Sequence, residues 1–453
     1  MAQEKPEESR LITESPTGRQ RSTPALPSRL AWLRRLFPQR STLSLYVATM
    51  GPGLIAALAG NDAGGIGTYS LAGAKYGYGL LGLLFIITFV LALVQEMAAR
   101  MGAVTQKGLG ELIREHYGVG WTLFALGVMF IANTATVVAE FAGIAAAGEI
   151  FGLSKYFTVP SAALLLWLIV TRGPFRLVER IFLAICLVQV TYVIAAFKAV
   201  DQLPSDQGWS HILPHLVKPH LSSDPHFLLL CVGVIGTTIT PWMQFFLQSN
   251  IVDKGIQVGE YRYQKADVFA GALATDIIAF FIIVCTAATL HVTNTPVESA
   301  RDAALALERP LGTWGKYLFA SGLLAASLLA AAILPLSTAY TYCEAFGWEI
   351  GIHRSLRQAP MFYGLFAATM FIGAFVVLLP NVPLLTAMLV SQDVNGILLP
   401  IVLVFMLRLI NNRRIMGDYV NRPAHNVLAW SAVFFLILLT LILLVSSVLE
   451  MLR

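Results

Sequence analysis

The sequence predicts an all-α integral membrane protein of about eleven transmembrane helices, arranged as two inverted repeats of five plus a final helix. Hydrophobic residues make up 57% of the 453 residues and charged residues only 13%, whereas a soluble domain carries about a quarter charged residues. Apolar runs long enough to cross roughly 30 Å of hydrocarbon recur along nearly the whole chain. Two of these runs, five spans apart, are interrupted by glycine or proline, which is typical of inverted-repeat membrane folds.

The predicted spans are, in order, residues 44–77, 80–102, 121–150, 157–172, 178–199, 226–252, 267–292, 313–348, 360–380, 383–408 and 426–451. Residues 1–43 precede them. This segment is polar, rich in Pro and Arg, and has no early apolar core. We therefore expect a mostly disordered cytoplasmic tail and no cleavable signal peptide.

The distribution of basic residues predicts the orientation in the membrane. With a cytoplasmic N-terminus, 23 of the 31 Lys and Arg residues lie on the inner side of the eleven spans. Inner segments of membrane proteins carry such an excess of Lys and Arg. The sequence therefore predicts a multi-pass protein of the cell membrane with its N-terminus inside and its C-terminus outside. The basic charge needs no nucleic acid to explain it.

The first span carries a carboxylate, Asp62, within the glycine-rich stretch Gly60–Gly67. The sixth span is interrupted at 236–244, where Pro241 removes a backbone donor. Backbone that leaves the helix within a membrane is tolerated only where protein buries it or it lines a watery cavity. Freed carbonyl groups beside Asp62 would favour a cation, and an intramembrane carboxylate is functional by default. The alternative is that Asp62 only caps a half-helix.

Several motifs resemble those of the Nramp divalent-metal transporters, in the same order and over residues 44–410. They are Gly51-Pro-Gly, Asn61-Asp-Ala-Gly-Gly, Ala72-Gly-Ala-Lys-Tyr-Gly-Tyr, Ala98-Ala-Arg-Met-Gly, Glu140-Phe-Ala-Gly, Gly236-Thr-Thr-Ile-Thr-Pro-Trp and Ser391-Gln392. The resemblance implies a LeuT-like fold. Its two repeats would cover about 44–199 and 226–408, with an eleventh helix at 426–453.

The resemblance also implies a metal site with departures from the family pattern. Asp62 matches the metal-binding aspartate, Gly65 replaces an asparagine, Thr240 replaces a methionine ligand, and Thr237 replaces an alanine that offers its carbonyl. A thioether selects transition metals, whereas oxygen ligands suit Mg²⁺. Mg²⁺ usually keeps several waters, which a roomier oxygen site would accommodate. The pattern is similar to that of the Nramp-related magnesium transporters, which implies Mg²⁺ and Mn²⁺ as cargo.

Polar residues on the tenth span would complete the site. Gln392 and Asn395 offer oxygen atoms to the ion or to its water shell, and Asp393 is a candidate for gating or coupling, as is Asn61. The alternative for the tenth-span residues is hydrogen bonding between helices.

Proton coupling is expected to be weak or absent. The family places two acids three residues apart on the third helix, and Glu140 matches one of them while Val137 occupies the other position. The sixth-helix histidines are replaced by Trp242 and by the pair Leu247-Gln248. A proton relay needs titratable groups within reach of one another. Glu140 stays a coupling candidate, with a purely structural role as its alternative.

These observations predict Mg²⁺ and Mn²⁺ uptake by alternating access, with no cofactor, no enzymatic activity and no obligate protein partner. A proton-coupled Mn²⁺/Fe²⁺ symporter and a sodium-coupled symporter of organic solutes remain as alternatives. A sensor or membrane enzyme is the third, although no catalytic or nucleotide-binding motif supports it.

Four further sets of residues receive only general expectations. We expect the cysteines to be buried, namely Cys186, Cys231, Cys285 and Cys343. At one inner helix end we expect a solvated face or gate pairs, formed by Glu96, Arg100, Lys107, Glu111 and Arg114. In the outer loop 200–226 we expect solvated histidines, namely His211, His215, His220 and His226, while the mid-span carboxylate Asp276 stays unassigned.

Overall fold

The computed structural model describes residues 60–172, 187–218, 220, 222, 224–351 and 354–451, which all belong to one compact unit. These residues form helices joined by turns and loops, and the described part of the chain contains no β-strand. The predicted tail at 1–43 and the first half of the first span lie outside the described residues.

Thirteen helices of more than two turns occur in the described ranges. They are α1 (Ala63–Tyr76), α2 (Leu81–Thr105), α3 (Leu109–Ile150), α4 (Lys155–Arg172), α5 (Thr191–Asp201), α6 (Pro225–Thr238), α7 (Pro241–Asp253), α8 (Tyr261–Thr286), α9 (Ala300–Leu311), α10 (Trp314–Phe346), α11 (Pro360–Leu378), α12 (Leu384–Ile410) and α13 (Pro423–Met451). A short π turn, Ala287–His291, extends α8.

Eight helical segments of the described chain are long and apolar enough to cross a membrane. They match the second, third and sixth to eleventh predicted spans, with α6 and α7 together forming the sixth. The fourth predicted span is the helix α4 but is not among the eight. The first and fifth predicted spans are described only from residues 60 and 187 onward. The prediction of an all-helical membrane fold is confirmed.

One predicted boundary was wrong, and one helix was missed. The helix α3 begins at Leu109, twelve residues before the predicted start at 121, and bends at Gly118, whose φ is +76°. Its first turns are polar, so hydropathy alone missed them. The helix α9 was not predicted at all, because it is amphipathic rather than apolar. Ser299 and Asp302 cap its start reciprocally, and its apolar face packs on α5 and α10.

The expected break at Gly60–Gly67 is shorter than predicted. The helix α1 begins at Ala63, so Gly64, Gly65 and Gly67 are helical, and among the described residues only 60–62 lie in the break. The cause is Asp62, whose Oδ1 accepts a hydrogen bond of 2.6 Å from the amide of Gly65 and caps the helix. At Gly64 and Gly67 the glycines serve packing, because a Cβ there would collide with Gln392 or press on Leu385 of α12.

The second break lies within the predicted range 236–244 but covers only two of those residues. The helix α6 ends at Thr238 and α7 begins at Pro241, which leaves Ile239 and Thr240 outside both helices. Proline suits the first position of a helix because its missing N–H would have no helical partner there. Carbonyl groups in the last turn of α6, which contains Thr237, have no hydrogen-bond partners within the helix.

The packing of the long helices determines which faces meet at these breaks. The helix α3 packs most extensively on α10, α12 and α11, while α1 packs on α8, α12 and α6. Close crossing of α6 and α12 depends on Gly236 and Gly396, since a Cβ on either would overlap the backbone of the other helix. Bulky side chains such as Phe89 and Phe434 are exposed on the outer faces, where lipid would cover them.

Candidate metal site

Asp62 is the centre of a buried polar cluster at the start of α1. Its side chain is almost fully buried, with a residue exposure of 1%. Besides capping α1 through Oδ1, it accepts a long hydrogen bond of 3.4 Å from Nε2 of Gln392. Its other oxygen, Oδ2, has no hydrogen-bond partner among the described residues. The capping role is therefore real, but it uses only one of the two carboxylate oxygens.

A second carboxylate reaches the same helix end from α3. Oε2 of Glu140 accepts from the amide of Ala63 at 3.2 Å, and its Oε1 has no partner in the described chain. The two carboxylates are close enough to interact electrostatically. The positive end of the α1 dipole offsets part of their mutual repulsion. Two buried acids beside one helix end form a region of negative potential that favours a cation.

The helix α12 supplies amides to this region. Nδ2 of Asn395 donates to Oε1 of Gln392 at 3.0 Å and to Oγ1 of Thr136 at 2.9 Å. A continuous set of hydrogen bonds thus runs from Thr136 of α3 through the two α12 amides to Asp62. Asn395 thus connects α12 to α3, and contact of Gln392 and Asn395 with an ion or its water shell stays a prediction.

The break between α6 and α7 supplies hydroxyl groups. Thr237 and Thr240 are fully buried, and neither Oγ1 has a hydrogen-bond partner among the residues that the structure describes. A Cβ at Gly65 would lie 2.9 Å from Oγ1 of Thr237. An asparagine at position 65 would therefore require this hydroxyl to move. The family pair of asparagine and alanine is replaced here by glycine and threonine, which exchange size at one contact.

Six buried side-chain oxygens in and beside this cluster lack partners in the described residues. They belong to Asn61, Asp62, Glu140, Thr237, Thr240 and Asn395. Most buried polar atoms in proteins are hydrogen-bonded, so a concentration of unpartnered oxygens indicates space for an ion or its waters. Within the described ranges no three His, Cys, Asp or Glu side chains gather as a metal cluster. The donors are thus two carboxylates with neutral hydroxyl and amide oxygens, which suit a hard cation.

Asn61, just before α1, forms hydrogen bonds that connect this segment to α8 and to Gln189. Its Nδ2 donates to the carbonyl of Thr275 on α8 at 3.1 Å, and its own carbonyl accepts from Nε2 of Gln189 at 3.0 Å. Gln189 and Thr136 were missed by the sequence analysis, because single polar residues in apolar spans give no motif. Both are buried at helix contacts. The only signal in the sequence was a polar residue within an apolar span.

Asp393 lies apart from the cluster. It faces Gly233 of α6, where a Cβ would come within 2.9 Å of Oδ1, and it lines a separate cleft of about 210 Å³ with Thr68, Lys75 and His226. Neighbouring residues on a helix point about 100° apart, so Gln392 and Asp393 serve different surroundings. A gating role for Asp393 stays a prediction.

The positions at which the resemblance implies further proton-coupling groups are apolar or occupied by amides. Val137 is fully buried against Gly373 of α11, and Trp242 is fully buried in α7. Nε2 of Gln248 donates to the carbonyl of Lys107 at 2.8 Å. None of these three side chains can accept and release a proton in the physiological range.

Other charged residues differ from the expectation of a solvated face. Glu96 and Arg100 are both buried and form an ion pair of 3.2 Å, which Asn421 and Tyr261 extend by further hydrogen bonds. Lys107 is half-buried and pairs with both Glu111 and Glu115 at the protein surface. Asp276 is buried on α8, and neither of its carboxylate oxygens has a partner in the described residues.

The all-helical membrane fold is of the LeuT-like class, as predicted. The model of the family "natural resistance-associated macrophage protein-like" matches residues 53–446. The chain therefore belongs to the Nramp family.

Individual relatives agree with this assignment. The chain is 26% identical over 420 residues to the divalent metal cation transporter MntH of Verminephrobacter eiseniae, covering 88% of this chain and 91% of the relative. It is 29% identical over 397 residues to MntH of Chromohalobacter salexigens, covering 84% and 86%. The relatives carry the names of transporters, which confirms the prediction that the chain is not an enzyme.

Solved structures share the fold. A crystal structure of the Eremococcus coleocola manganese transporter, in complex with an aromatic bis-isothiourea substituted compound, matches with a TM-score of 0.74 and 21% identity. The match covers 90% of this chain and 88% of that chain. The magnesium-transporting branch that the motifs resemble stays a prediction.

Proposed function

We propose that the chain transports divalent metal cations across the cell membrane, with Mg²⁺ and Mn²⁺ as its cargo, by alternating access. The observation that carries the proposal is the set of unpartnered buried oxygens in and beside the cluster at Asp62. Names of the matched relatives support the ion class, since they are divalent metal or manganese transporters. The distribution of Lys and Arg supports a cytoplasmic N-terminus.

In this proposal Asp62 supplies the negative charge, and Gly65 leaves room at the start of α1. Thr237 offers its carbonyl and Thr240 its hydroxyl, while Gln392 and Asn395 contact the ion or its water shell. Mg²⁺ dehydrates reluctantly and prefers oxygen ligands, so neutral oxygens that hydrogen-bond to its waters suit it. Mn²⁺ accepts the same oxygen ligands.

Transport would follow the electrochemical gradient of the ion with weak or no proton coupling. Apolar or amide side chains at positions 137, 242 and 248 support this part of the proposal. The membrane potential alone supplies about 2.3 kcal/mol per charge at 100 mV, and thus about 4.6 kcal/mol for a divalent ion. No further driving force is needed for uptake.

A proton-coupled Mn²⁺ symporter is the second candidate. One observation favours it, namely the position of Glu140 beside Asp62, which gives the cluster a second acid that can take a proton.

Ion uptake into proteoliposomes, with internal pH followed in the same vesicles, separates the two candidates. We expect Mg²⁺ and Mn²⁺ influx without acidification, and loss of both in Asp62→Asn. Glu149→Gln is the control, because it removes an exposed carboxylate near the end of α3, outside the cluster. Mn²⁺ influx with acidification and without Mg²⁺ influx would contradict the proposal in favour of the symporter.

A further inference from the structure

A second cavity, remote from Asp62 in sequence and in lining residues, is surrounded by histidines. It measures about 520 Å³ and lies where the turn after α1, the segment before α6 and the π turn after α8 meet. Four of the chain's eight histidines line it, namely His211, His215, His220 and His291. The sequence analysis expected the first three to be solvated loop residues, whereas the fold gathers them at one cavity.

Two of these rings are held by backbone carbonyls. Nδ1 of His215 lies 3.0 Å from the carbonyl of His211, and Nδ1 of His291 lies 3.0 Å from the carbonyl of Ala74. A carbonyl only accepts, so Nδ1 donates in both rings, and in the neutral ring Nε2 then has a free lone pair. Histidines that bind metals are oriented by this kind of bond from the other ring nitrogen.

His211 and His215 stand one turn apart with their ring centroids 5.1 Å from each other. Tyr78 packs against both rings, and its buried hydroxyl has no partner in the described chain. Asp206 adds a carboxylate to the lining, and none of the residues described around the cavity is Lys or Arg. The cavity therefore offers nitrogen donors and negative charge with no competing cation.

We propose that this cavity binds a borderline transition-metal cation such as Zn²⁺ through His211 and His215, with water at the remaining positions. Imidazole suits Zn²⁺, Ni²⁺ and Cu²⁺, whereas Mg²⁺ prefers oxygen ligands. No three acidic, histidine or cysteine side chains are grouped for a metal in the described residues, so these would supply no more than two protein ligands. This site and the cluster at Asp62 thus differ in the hardness of their donors.

Occupancy of this site would hinder transport. His291 on the extension of α8 lies against Gly77, whose φ is +57° and where a Cβ would come within 3.1 Å of the imidazole. The cavity thus joins the end of α1, which carries Asp62 at its start, to two other segments. Through its waters, an ion held by His211 and His215 would bond to groups of the other segments, such as the Tyr78 hydroxyl that lacks a partner in the described chain, and oppose their relative movement. This consequence rests on the proposed transport function, whereas binding itself does not.

Calorimetric titration of Zn²⁺ into the purified full-length protein in detergent tests the binding, with Mg²⁺ present in excess. We expect one site, and a loss of affinity of about tenfold or more in the double variant His211→Gln/His215→Gln. His226→Gln is the matched control, because His226 lines the separate cleft of Asp393. A size-exclusion profile of each variant, including the two single variants, shows whether it is folded. Unchanged Zn²⁺ affinity in a folded double variant would overturn the proposal.

Uptake of Mg²⁺ into proteoliposomes with external Zn²⁺ tests the consequence. We expect Zn²⁺ to inhibit the wild type and His226→Gln, and the double variant to resist this inhibition. Equal inhibition of all three would locate the effect at the transported-ion site and overturn the inhibitory role. Absence of Mg²⁺ uptake in every protein would contradict the proposed function, while the titration would still decide the histidine site.

Discussion

At the scale of single residues, a few side chains at the start of α1 decide the chemistry of the central cluster. Asp62 combines capping with a free carboxylate oxygen, so its helical role does not exhaust its function. The missing side chain at Gly65 leaves room for the hydroxyl of Thr237, so the two positions are complementary in size. Thr240 presents an unpartnered hydroxyl where the family carries a thioether.

The contact between Gly65 and Thr237 predicts a compensating pair of substitutions. We expect Gly65→Asn to lower thermal stability, because overpacking of a buried site costs about 1–3 kcal/mol. Thr237→Ala should restore part of it in the double variant, since it removes the obstructing hydroxyl. A double-mutant cycle of thermal unfolding in detergent measures the coupling, and strictly additive effects would show that the two positions are independent.

The hydroxyl at Thr240 predicts the ion selectivity. We expect Thr240→Met to raise Cd²⁺ uptake relative to Mg²⁺ and Mn²⁺ by about tenfold, which corresponds to ~1.4 kcal/mol, because a thioether favours soft cations. Competition between these ions in proteoliposomes measures the change. Thr240→Ser keeps the hydroxyl and serves as the control. An unaltered ratio in Thr240→Met would mean that residue 240 does not contact the ion.

At the scale of helices, glycines and buried polar bonds set the positions of the elements. Gly236 and Gly396 let α6 and α12 cross closely, which brings Thr237 and Gln392 to the same cluster. The ion pair of Glu96 and Arg100 joins α2 to residues 419–421 before α13, through bonds from Arg100 to the carbonyls of Tyr419 and Val420. This network connects α2 to a neighbouring segment of the fold and is not a solvated face.

Removal of one partner of this ion pair should be costly. We expect Arg100→Gln to destabilise the protein by about 3–5 kcal/mol, because it leaves a buried carboxylate without its counter-charge. The double variant Glu96→Gln/Arg100→Gln should lose less. Lys107→Gln removes ion pairs at the protein surface and should cost about 0–1 kcal/mol. Thermal unfolding in detergent compares the three, and a similar loss in Arg100→Gln and Lys107→Gln would contradict the buried network.

At the scale of the whole molecule, the absence of titratable groups at residues 137, 242 and 248 predicts the energetics of transport. An inside-negative potential of about 60 mV should let the protein accumulate a divalent ion about 100-fold. With the potential set to zero, an inward proton gradient should produce no accumulation. Vesicles with a potassium diffusion potential, or with a pH gradient alone, measure the two cases. Accumulation driven by the pH gradient would indicate proton coupling, with Glu140 as the first residue to replace.

Much of the fold was readable from composition because a bilayer imposes strong rules on the chain. Eight apolar helices match predicted spans, and the break before Pro241 lies where the residues indicated it. The amphipathic α9 and the polar first turns of α3 escaped detection, since their burial depends on neighbouring helices. The extent of the first break was also misjudged, because glycine in a sequence does not distinguish backbone freedom from close packing.

The sequence by itself determined the class of the protein, its long apolar helices and the residue types available near Asp62. These features follow from local rules, namely the cost of unpaired backbone in lipid and the cost of an intramembrane charge. Only the tertiary structure decided which polar residues meet. It brought Glu140, Thr237 and Gln392 to Asp62, turned Asp393 to another cleft, and gathered distant histidines around one cavity. Such contacts depend on how helices cross, and crossing is a property of packed surfaces rather than of any single segment.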